Sequence, residues 1–429
     1  MKNIAANACI NLPESFERYL PHPSYVDGRL TIGWGTHRLS SVYQPIVSFS
    51  HNSIVGHEAL VRVRTADGQA LPPPQLFQSA HASGETATVD RACRVMHTIN
   101  AVDTNSWLFL NVHPSLFSST QEIDSQTYIQ ALMSYFGLEP NRAILEVTEE
   151  SVSDLEQFEE GFRGLRELGI GLAIDDFGAG CSNFDRIWYL EPDVVKLDRS
   201  FAQRAATDDR VRRMLPRLVD LLHETGAMVL LEGIETQEQA LIAMDADVDF
   251  GQGYYFAYPG ITPVADSQAL ADCMHALWDA HDTRVESRTH ARRDAMTPYV
   301  DAIGLAASQI ASGADNEAAA RNYLSLALAQ CFYVLDHEGH QVGQNLNAPS
   351  GNGSQILLEL GRMPGARWSR RQYFKRAVAA QGRPQVTRPY ASLTTGRICV
   401  TVSTQVEAHG KKYVVCGDVD WEAMSKQLA

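Results

Sequence analysis

Short apolar runs that each end in a polar or charged residue recur along the first part of the chain and constrain its fold. The clearest run, Leu172–Ile174, ends in the adjacent aspartates Asp175 and Asp176. A run this short, with glycines on both sides, predicts a buried strand rather than a helix. Segments with amphipathic helical spacing, such as Ser153–Leu168, separate the runs. This alternation predicts parallel βαβ units.

The polar residues that end these runs are candidates for one shared site. The first strands form a predicted hairpin over Val42–Arg62, whose second strand carries Glu58. In chain order the polar residues are Glu58, Asn111, Glu146, Asp175 with Asp176, Lys196, Glu232 and Gln252. A barrel gathers such residues, because the carboxyl ends of its strands surround one opening. We predict an α/β fold with a TIM-like (β/α)8 barrel over 38–262. A doubly wound open sheet is the alternative, but it would not bring residues from so many strands together.

Carboxylate and amide oxygens are ligands that suit Mg²⁺ or Mn²⁺ better than zinc. Asp175 and Asp176 would repel each other in a low-dielectric site unless a cation lies between them. A solvated turn is the alternative for an isolated pair of aspartates. Lys196 is not a metal ligand, but its ammonium can orient a water molecule. Because two divalent ions stabilise the attacking and leaving oxygens of phosphodiester hydrolysis, the residues predict metal-dependent phosphoryl chemistry.

Composition restricts the partners of the chain. A formal net charge of −15 argues against a general nucleic-acid or anionic-membrane binder. The seven cysteines show no CxxC or Cys/His spacing and predict reduced thiols in a cytoplasmic protein. We find neither a signal peptide nor a run of about 18 apolar residues, so the sequence predicts no membrane partner.

The remaining segments predict the domain organisation. We expect an N-terminal extension over 1–37, a helical connector over 263–319 and a smaller α+β domain over 320–429. The connector has helical spacing with a break near Pro298, and it offers contacts for a homodimer. Short alternating runs such as Phe332–Leu335 and Tyr413–Cys416 indicate antiparallel strands in the last domain.

The ordered motifs of the predicted barrel resemble those of the EAL-domain phosphodiesterases, which linearise the bacterial second messenger cyclic di-GMP. The tripeptide that names the family stands at 58–60. The other matching motifs are NVHP with Asn111, EVTE from Glu146, DDFG from Asp175, KLD from Lys196, EGIE from Glu232 and QGY from Gln252. The tripeptide alone is unspecific, but seven ordered motifs at strand ends are specific.

The resemblance implies a role for each matching residue. Two ions, Mg²⁺ or Mn²⁺, would be held by Glu58, Asn111, Glu146, Asp175 and Asp176, with Asp175 bridging them. Lys196 and Glu232 would act with Glu58 as catalytic residues that position and deprotonate the attacking water. The substrate, cyclic di-GMP, would be contacted or supported by Gln44, Arg62, Gln252 and Glu235. Glu149 would anchor the loop Phe177–Asn183, which in the family couples metal binding to dimerisation. The implied product is linear pGpG.

The chain departs from the family pattern at a few positions that are not metal ligands. The loop has Ala179 and Cys181 where Thr and Tyr are usual, Val63 replaces a common Trp, and His113 replaces a Ser. These changes leave open a catalytically silent cyclic di-GMP receptor, whereas the intact Lys196 favours an enzyme. A phosphodiesterase for another cyclic dinucleotide is a further alternative.

The last domain resembles the PAS-like/Cache sensor fold. The similar segments are 332–336, 367–374, 388–390 and 394–396. In ligand-binding members an arginine and a tryptophan hold a carboxylate and an aspartate holds an amine. The resemblance therefore implies a small anionic or zwitterionic ligand, which would contact Arg367, Trp368, Tyr390 and Asp418. A solvated basic face is the alternative explanation for the many basic residues between Arg362 and Arg388.

Overall fold

The computed structural model describes residues 20–101, 106–113, 125–148, 155–180, 184–264, 267–348, 366–393 and 396–428. The chain divides into two compact units, Met1–Asp282 and Thr283–Ala429. Glu149, Cys181 and the end of the loop Phe177–Asn183 lie outside the described residues. Among those that are described, no helix has both the length and the apolar character needed to cross a bilayer.

The first unit contains a closed barrel of eight strands. Each strand pairs with the next one around the ring, and the last pairs with the first. The barrel strands are β3 (His37–Ser48), β4 (Ser53–Arg64), β6 (Trp107–Asn111), β7 (Ala143–Thr148), β8 (Gly171–Phe177), β9 (Val194–Leu197), β10 (Met228–Leu231) and β11 (Phe250–Gly251). The prediction of a TIM-like α/β barrel is confirmed.

One barrel strand runs against the others. β3 is antiparallel to both β4 and β11, whereas the other neighbours around the ring are parallel. The cause is local, since β3 and β4 form a long hairpin that turns at Phe49–Asn52. Outside the ring, β1 (Pro23–Val26) and β2 (Arg29–Trp34) extend the sheet from β3, and β5 (Ala70–Leu71) pairs with β4.

Helices alternate with the parallel strands of the first unit. They are α1 (Pro73–Ala82), α2 (Thr86–Asn100), α3 (Ser125–Phe136), α4 (Leu155–Glu167), α5 (Phe184–Leu190), α6 (Arg199–Thr207), α7 (Asp209–His223) and α8 (Gln237–Asp245), with a short 3-10 turn at Pro140–Arg142. Two buried apolar clusters form where these helices pack against the strands. The alternating pattern of the sequence predicted this arrangement.

The second unit is built on a six-stranded antiparallel sheet. Its strands are β12 (Ala329–Asp336), β13 (Gln341–Asn347), β14 (Gln385–Val386), β15 (Tyr390–Ala391), β16 (Ile398–Ala408) and β17 (Lys411–Asp420). They lie in the order β13-β12-β17-β16-β14, with β15 also paired to β16, and apolar clusters cover both faces of the sheet. The helices of this region are α10 (Asn316–Leu324), α11 (Gln372–Ala379) and α12 (Trp421–Leu428).

The helix α9 (Gln268–Ala311) runs through the position where the sequence predicted a break. Pro298 lies inside this helix and removes one backbone hydrogen bond. Its neighbours Met296 and Tyr299 are buried in the apolar core of the second unit, and that burial offsets the lost bond. The expected break near Pro298 is therefore wrong.

Close backbone packing fixes the loop after β11. A Cβ atom added to Gly253 would lie 2.0 Å from the carbonyl oxygen of Ile234. The backbone N–H of Ile234 in turn donates to the carbonyl of Gln252 at 3.0 Å. Only glycine leaves room for this contact, which holds the end of β11 beside the end of β10.

We predict that Gly253→Ala destabilises the barrel by about 2–4 kcal/mol, because the backbone must move to admit the methyl group. Gly226→Ala is the matched control. Gly226 has a positive φ of +90°, which Gly253 does not, and no atom lies within 4 Å of an added Cβ at Gly226, so only backbone strain of about 1 kcal/mol is expected there. Thermal unfolding followed by circular dichroism measures both changes, and equal losses would contradict the packing argument.

Candidate active site

A layer of polar side chains lies directly above an apolar layer inside the barrel. The apolar residues are Ile46, Phe109, Ile144, Ala173, Val194, Leu230 and Phe250, which form one buried cluster. Because strand side chains alternate with period two, the inward-facing residue two positions nearer the mouth is polar in each case. These residues are Gln44, Asn111, Glu146, Asp175, Lys196, Glu232 and Gln252. Strand period alone therefore directs the predicted residues to one opening.

Glu58 supplies the contribution of β4. It lies within the strand rather than at its end, because the hairpin with β3 extends β4 to Arg64. Two positions earlier, Gly56 leaves the space that Phe109 fills, and an added Cβ would lie 2.9 Å from that ring. Glu58 is buried, and its carboxylate accepts a hydrogen bond of 2.7 Å from Nε2 of Gln252.

Asn111 connects two carboxylates across neighbouring strands. Its Nδ2 donates to Glu58 Oε1 at 3.3 Å and to Glu146 Oε2 at 3.2 Å. Glu146 stands opposite Asn111 in the parallel register and is only 1% exposed. Burial raises the pKa of Glu146 well above its usual value, Lys196 opposes this shift, and Glu58 adds to it. A cation at this position would relieve the electrostatic cost.

Asp175 and Asp176 both reach the site because the end of β8 is irregular. Adjacent strand residues normally point to opposite faces. Asp176, however, has a φ of +57°, and the pairing of β8 with β9 shifts register between Ile174 and Phe177. A non-glycine residue in this conformation costs of order 1–3 kcal/mol. Burial and then the neighbouring Asp175 raise the pKa of Asp176. The sequence predicted the pair but not this bulge.

Lys196 is the centre of the charge arrangement. Its Nζ lies 2.6 Å from Glu232, 2.8 Å from Glu146, 3.0 Å from Asp175 and 3.5 Å from Glu58. The side chain is fully buried. Burial by itself lowers the pKa of Lys196, but the surrounding carboxylates, with Asp175 first, raise it well above its usual value. Lys196 is therefore a fixed positive charge.

Glu232 directly follows β10 and lies at the edge of the site. Its side chain keeps 21% of its surface exposed while touching Lys196. Burial raises its pKa to about 8, an effect that Lys196 opposes and Asp175 reinforces. A carboxylate with a raised pKa, close to solvent and to a fixed ammonium, has the properties of a general base.

The carboxylates form two groups with the geometry of cation sites. Ligand atoms of Glu58, Glu146 and Asp175 lie within 4.8 Å of one another, as do those of Asp175, Asp176 and Glu232. Asp175 belongs to both groups. One ammonium does not neutralise five carboxylates, and oxygen donors suit Mg²⁺ and Mn²⁺. The residues present therefore fit two divalent cations that share Asp175.

Of the residues predicted to contact or support the substrate, Gln44 and Arg62 lie beside Glu58, whereas Glu235 lies apart from it. Gln44 stands directly opposite Glu58 in the hairpin register. Arg62 is four positions beyond Glu58, so both side chains leave the same face of β4. Glu235 is exposed, and its backbone N–H donates to Gln239 Oε1 at 2.7 Å. Among the described residues, no hydrogen bond or ion pair joins the Glu235 carboxylate to the site.

An ion pair behind the site was not predicted from the sequence. Asp90 and Arg94 are buried on α2 and pair with each other. The other carboxylate oxygen of Asp90 accepts from the backbone N–H of His113 at 3.3 Å. This hydrogen bond fixes the backbone of His113, which follows Asn111 by two residues. The sequence signal that could have revealed this pair is an Asp and an Arg four positions apart in a helix whose other buried residues are mostly apolar.

The residues predicted to bind a ligand in the last domain are not all together. Trp368, Tyr390 and Asp418 line one pocket. Arg367 is exposed, and its Nε donates to the carbonyl of Glu338 at 3.3 Å. The arginine that lines the pocket is Arg371.

The fold and the site define a barrel protein with an acidic cation-binding mouth. The sequence pattern of the EAL domain matches residues 30–259. This match covers more than half of the chain, and the chain belongs to the EAL domain family.

Named relatives and a solved structure share this part of the chain. The cyclic di-GMP phosphodiesterase RocR of Pseudomonas aeruginosa is 30% identical over 259 residues, which are 55% of this chain and 61% of RocR. The cyclic di-GMP phosphodiesterase PdeL of Escherichia coli is 26% identical over 237 residues, which are 54% of this chain and 65% of PdeL. The chain thus covers less than two thirds of these relatives.

The YkuI protein of Bacillus subtilis, a protein with an EAL domain solved with substrate c-di-GMP and calcium, superposes with a TM-score of 0.74. The superposition covers 89% of this chain and 96% of YkuI at 22% identity. This likeness is one of fold, and it extends beyond the EAL domain.

We predict that Lys196→Met destabilises the cation-free protein by about 3–5 kcal/mol, since it leaves buried carboxylates without their counter-charge. Added Mg²⁺ or Mn²⁺ should raise the melting temperature of this variant more than that of the wild type. Glu160→Gln is the control, because it removes an exposed carboxylate on α4 that belongs to neither cation group, and it should change neither value. An unchanged melting temperature for cation-free Lys196→Met would contradict the proposed role of the lysine.

Proposed function

We propose that this protein is a divalent-metal-dependent phosphodiesterase that hydrolyses cyclic di-GMP to linear pGpG. The observation that carries the proposal is the pair of three-carboxylate groups that share Asp175 around Lys196. Membership of the EAL family and the names of RocR and PdeL support the choice of substrate.

The cation ligands in this proposal are Glu58, Asn111, Glu146, Asp175 and Asp176. Two bound Mg²⁺ or Mn²⁺ ions would stabilise negative charge on the attacking and leaving oxygens. Asn111 and Gln252 orient the carboxylates, because both donate hydrogen bonds to Glu58. These two hydrogen bonds would keep the Glu58 carboxylate in the same orientation whether or not a cation is bound.

Lys196 and Glu232 carry the proton chemistry. The ammonium of Lys196 donates a hydrogen bond that holds a water molecule in line with the phosphorus atom. Glu232, 2.6 Å from that ammonium, accepts the proton of the water as the oxygen attacks. The P–O bond to the ribose breaks on the opposite side, its electron pair stays on the leaving oxygen, and that oxygen takes up a proton from solvent. Opening the ring in this way gives the linear dinucleotide.

Substrate contacts come from the outer part of the mouth. Arg62 supplies a guanidinium for a phosphate, and Gln44 supplies an amide beside Glu58. Glu235 supports the site from its rim, and Glu149 anchors the loop that follows Asp176. Tyr254 and Tyr258, which stack at 4.5 Å and are 50% and 70% exposed, offer a ring surface beyond Gln252.

We also propose a cytoplasmic homodimer regulated by a PAS-like second unit. The predicted coupling loop leads into α5, where Trp188 is 61% exposed and Tyr189 is 44% exposed. Aromatic residues are enriched at protein interfaces, so this helix is a suitable contact. The antiparallel sheet covered on both faces supports the proposal of a sensor unit.

The decisive experiment is single-turnover hydrolysis of cyclic di-GMP with Mg²⁺ or Mn²⁺. Wild-type protein should form pGpG, and a chelator should stop the reaction. Glu58→Ala and Lys196→Ala should each lower the rate about 10²–10⁴-fold, because a cation ligand or the group that orients water is lost. Tight binding without turnover by the wild type would reject the enzyme and favour a cyclic di-GMP receptor, with the altered loop as the cause.

We predict a smaller effect for Gln252→Leu. The variant keeps the side-chain volume but loses the 2.7 Å hydrogen bond to Glu58, so the rate or the cation affinity should fall about 10–100-fold. Gln239→Leu is a matched control, since among the described residues the Gln239 amide oxygen accepts hydrogen bonds only from the backbone N–H groups of Glu235 and Thr236. A loss equal to that of Glu58→Ala would show that Gln252 does more than position the carboxylate.

A further inference from the structure

A buried ion pair on α2 contacts the chain just beyond the candidate cation ligand Asn111. Asp90 is 6% exposed and Arg94 is 1% exposed, and Nη1 of Arg94 donates to Oδ2 of Asp90. The other carboxylate oxygen of Asp90, Oδ1, accepts a hydrogen bond of 3.3 Å from the backbone N–H of His113. One carboxylate thus joins the helix to the segment that leaves β6.

The ion pair is a poor source of stability by itself. Nε and Nη2 of Arg94 are buried and form no hydrogen bond with any described residue. A buried guanidinium with unsatisfied N–H groups keeps much of its desolvation cost, and apolar side chains of similar volume often stabilise a core as well or better. The contact with His113 is the effect of the pair that stability does not explain.

Two successive backbone N–H groups are held after Asn111. The N–H of Val112 donates to the carbonyl of Glu146 at 2.9 Å, and the N–H of His113 donates to Asp90. The strand register of β6 with β7 ends at Asn111 and Glu146, so strand pairing does not fix His113. The helix supplies this second bond through Asp90.

Asn111 depends on the direction of the backbone at this point. Its Nδ2 divides its hydrogen bonds between Glu58 Oε1 at 3.3 Å and Glu146 Oε2 at 3.2 Å. Both distances lie at the long end of the range for an N–H···O bond, so a small rotation of the amide would break one of them. Freedom in the two residues that follow Asn111 would permit such a rotation.

The helix that carries Asp90 is itself fixed to the barrel. The hydroxyl of Tyr43 donates to the carbonyl of His97 at 2.7 Å, and Nδ1 of His97 lies 2.8 Å from Oγ of Ser41. Both contacts join α2 to β3, and the side chains of Tyr43, Ser41 and His97 are buried. A supporting group on a rigid element holds its partner more closely than one on a loop.

We infer that Asp90 is a positioning residue for Asn111, and that Arg94 holds the Asp90 carboxylate in the orientation that reaches His113. The inference rests on the proposed function, because only there is Asn111 a cation ligand. Asp90 acts through the backbone of His113 and is not itself a ligand. The loss of such a supporting group typically lowers cation affinity or activity about 10–100-fold.

Two double variants of the full chain separate this role from the stability of the pair. Asp90→Asn with Arg94→Gln removes both charges but keeps an oxygen that accepts from His113, and the two amides can bond to each other one helix turn apart. Asp90→Leu with Arg94→Met also removes both charges but offers no acceptor, and it should melt at or above the wild-type temperature. Titration with Mn²⁺, followed by the EPR signal of the free ion, should give an affinity within about threefold of wild type for the first variant and about 10–100-fold weaker for the second.

Equal Mn²⁺ affinities for the two variants would overturn the inference, whether both match the wild type or both fall. If the apolar variant does not fold, Asp90→Ser with Arg94→Gln replaces it, because a serine hydroxyl is one bond too short to reach the N–H of His113. Wild-type protein that binds no Mn²⁺ would reject the cation sites of the proposed function and this inference with them. A protein that binds Mn²⁺ without hydrolysing cyclic di-GMP would contradict the proposed enzyme and not the role of Asp90.

Discussion

The contact of Lys196 with four carboxylates is the interaction on which the barrel mouth depends. Five acidic side chains from four strands converge there, and they would repel one another strongly without an internal positive charge. The ammonium is placed by strand geometry, since it stands two positions above the apolar Val194. The strand geometry that closes the barrel therefore also assembles the site. Cation binding adds to an arrangement that the protein already holds together.

Much of this arrangement could be predicted from the sequence because it follows from strand period. A short apolar strand places an inward-facing residue at the bottom of the barrel and another, two positions on, at the mouth. Each polar residue from Asn111 to Gln252 except Asp176 follows this rule, and the family motifs then identify its role. The α/β barrel follows from the same pattern. Glu58 differs in that it lies inside its strand and not at the strand end, because the sequence did not show how far the hairpin extends.

Other features could not be predicted because they depend on contacts distant in sequence. The left-handed backbone of Asp176 is imposed by the pairing of β8 with β9, and local propensity gives no sign of it. Pro298 predicted a helix break, but core packing on both sides of it prevails. In the second unit the resemblance pointed to Arg367 as the ligand-binding arginine, whereas Arg371 lines the pocket. Only the structure shows that the Arg367 side chain is exposed and donates to the carbonyl of Glu338 instead.

The single antiparallel strand changes the direction from which the chain enters the barrel. In an all-parallel barrel the first strand begins at the end opposite the catalytic mouth. Here β3 begins at the mouth, where Arg38 pairs with Arg64, and β2 is joined to that end of β3. The residues before β3 thus reach the barrel beside the strand end that carries Arg62. The hairpin of β1 and β2 therefore connects to the rim of the site, and the chain reaches that rim without first crossing the length of the barrel.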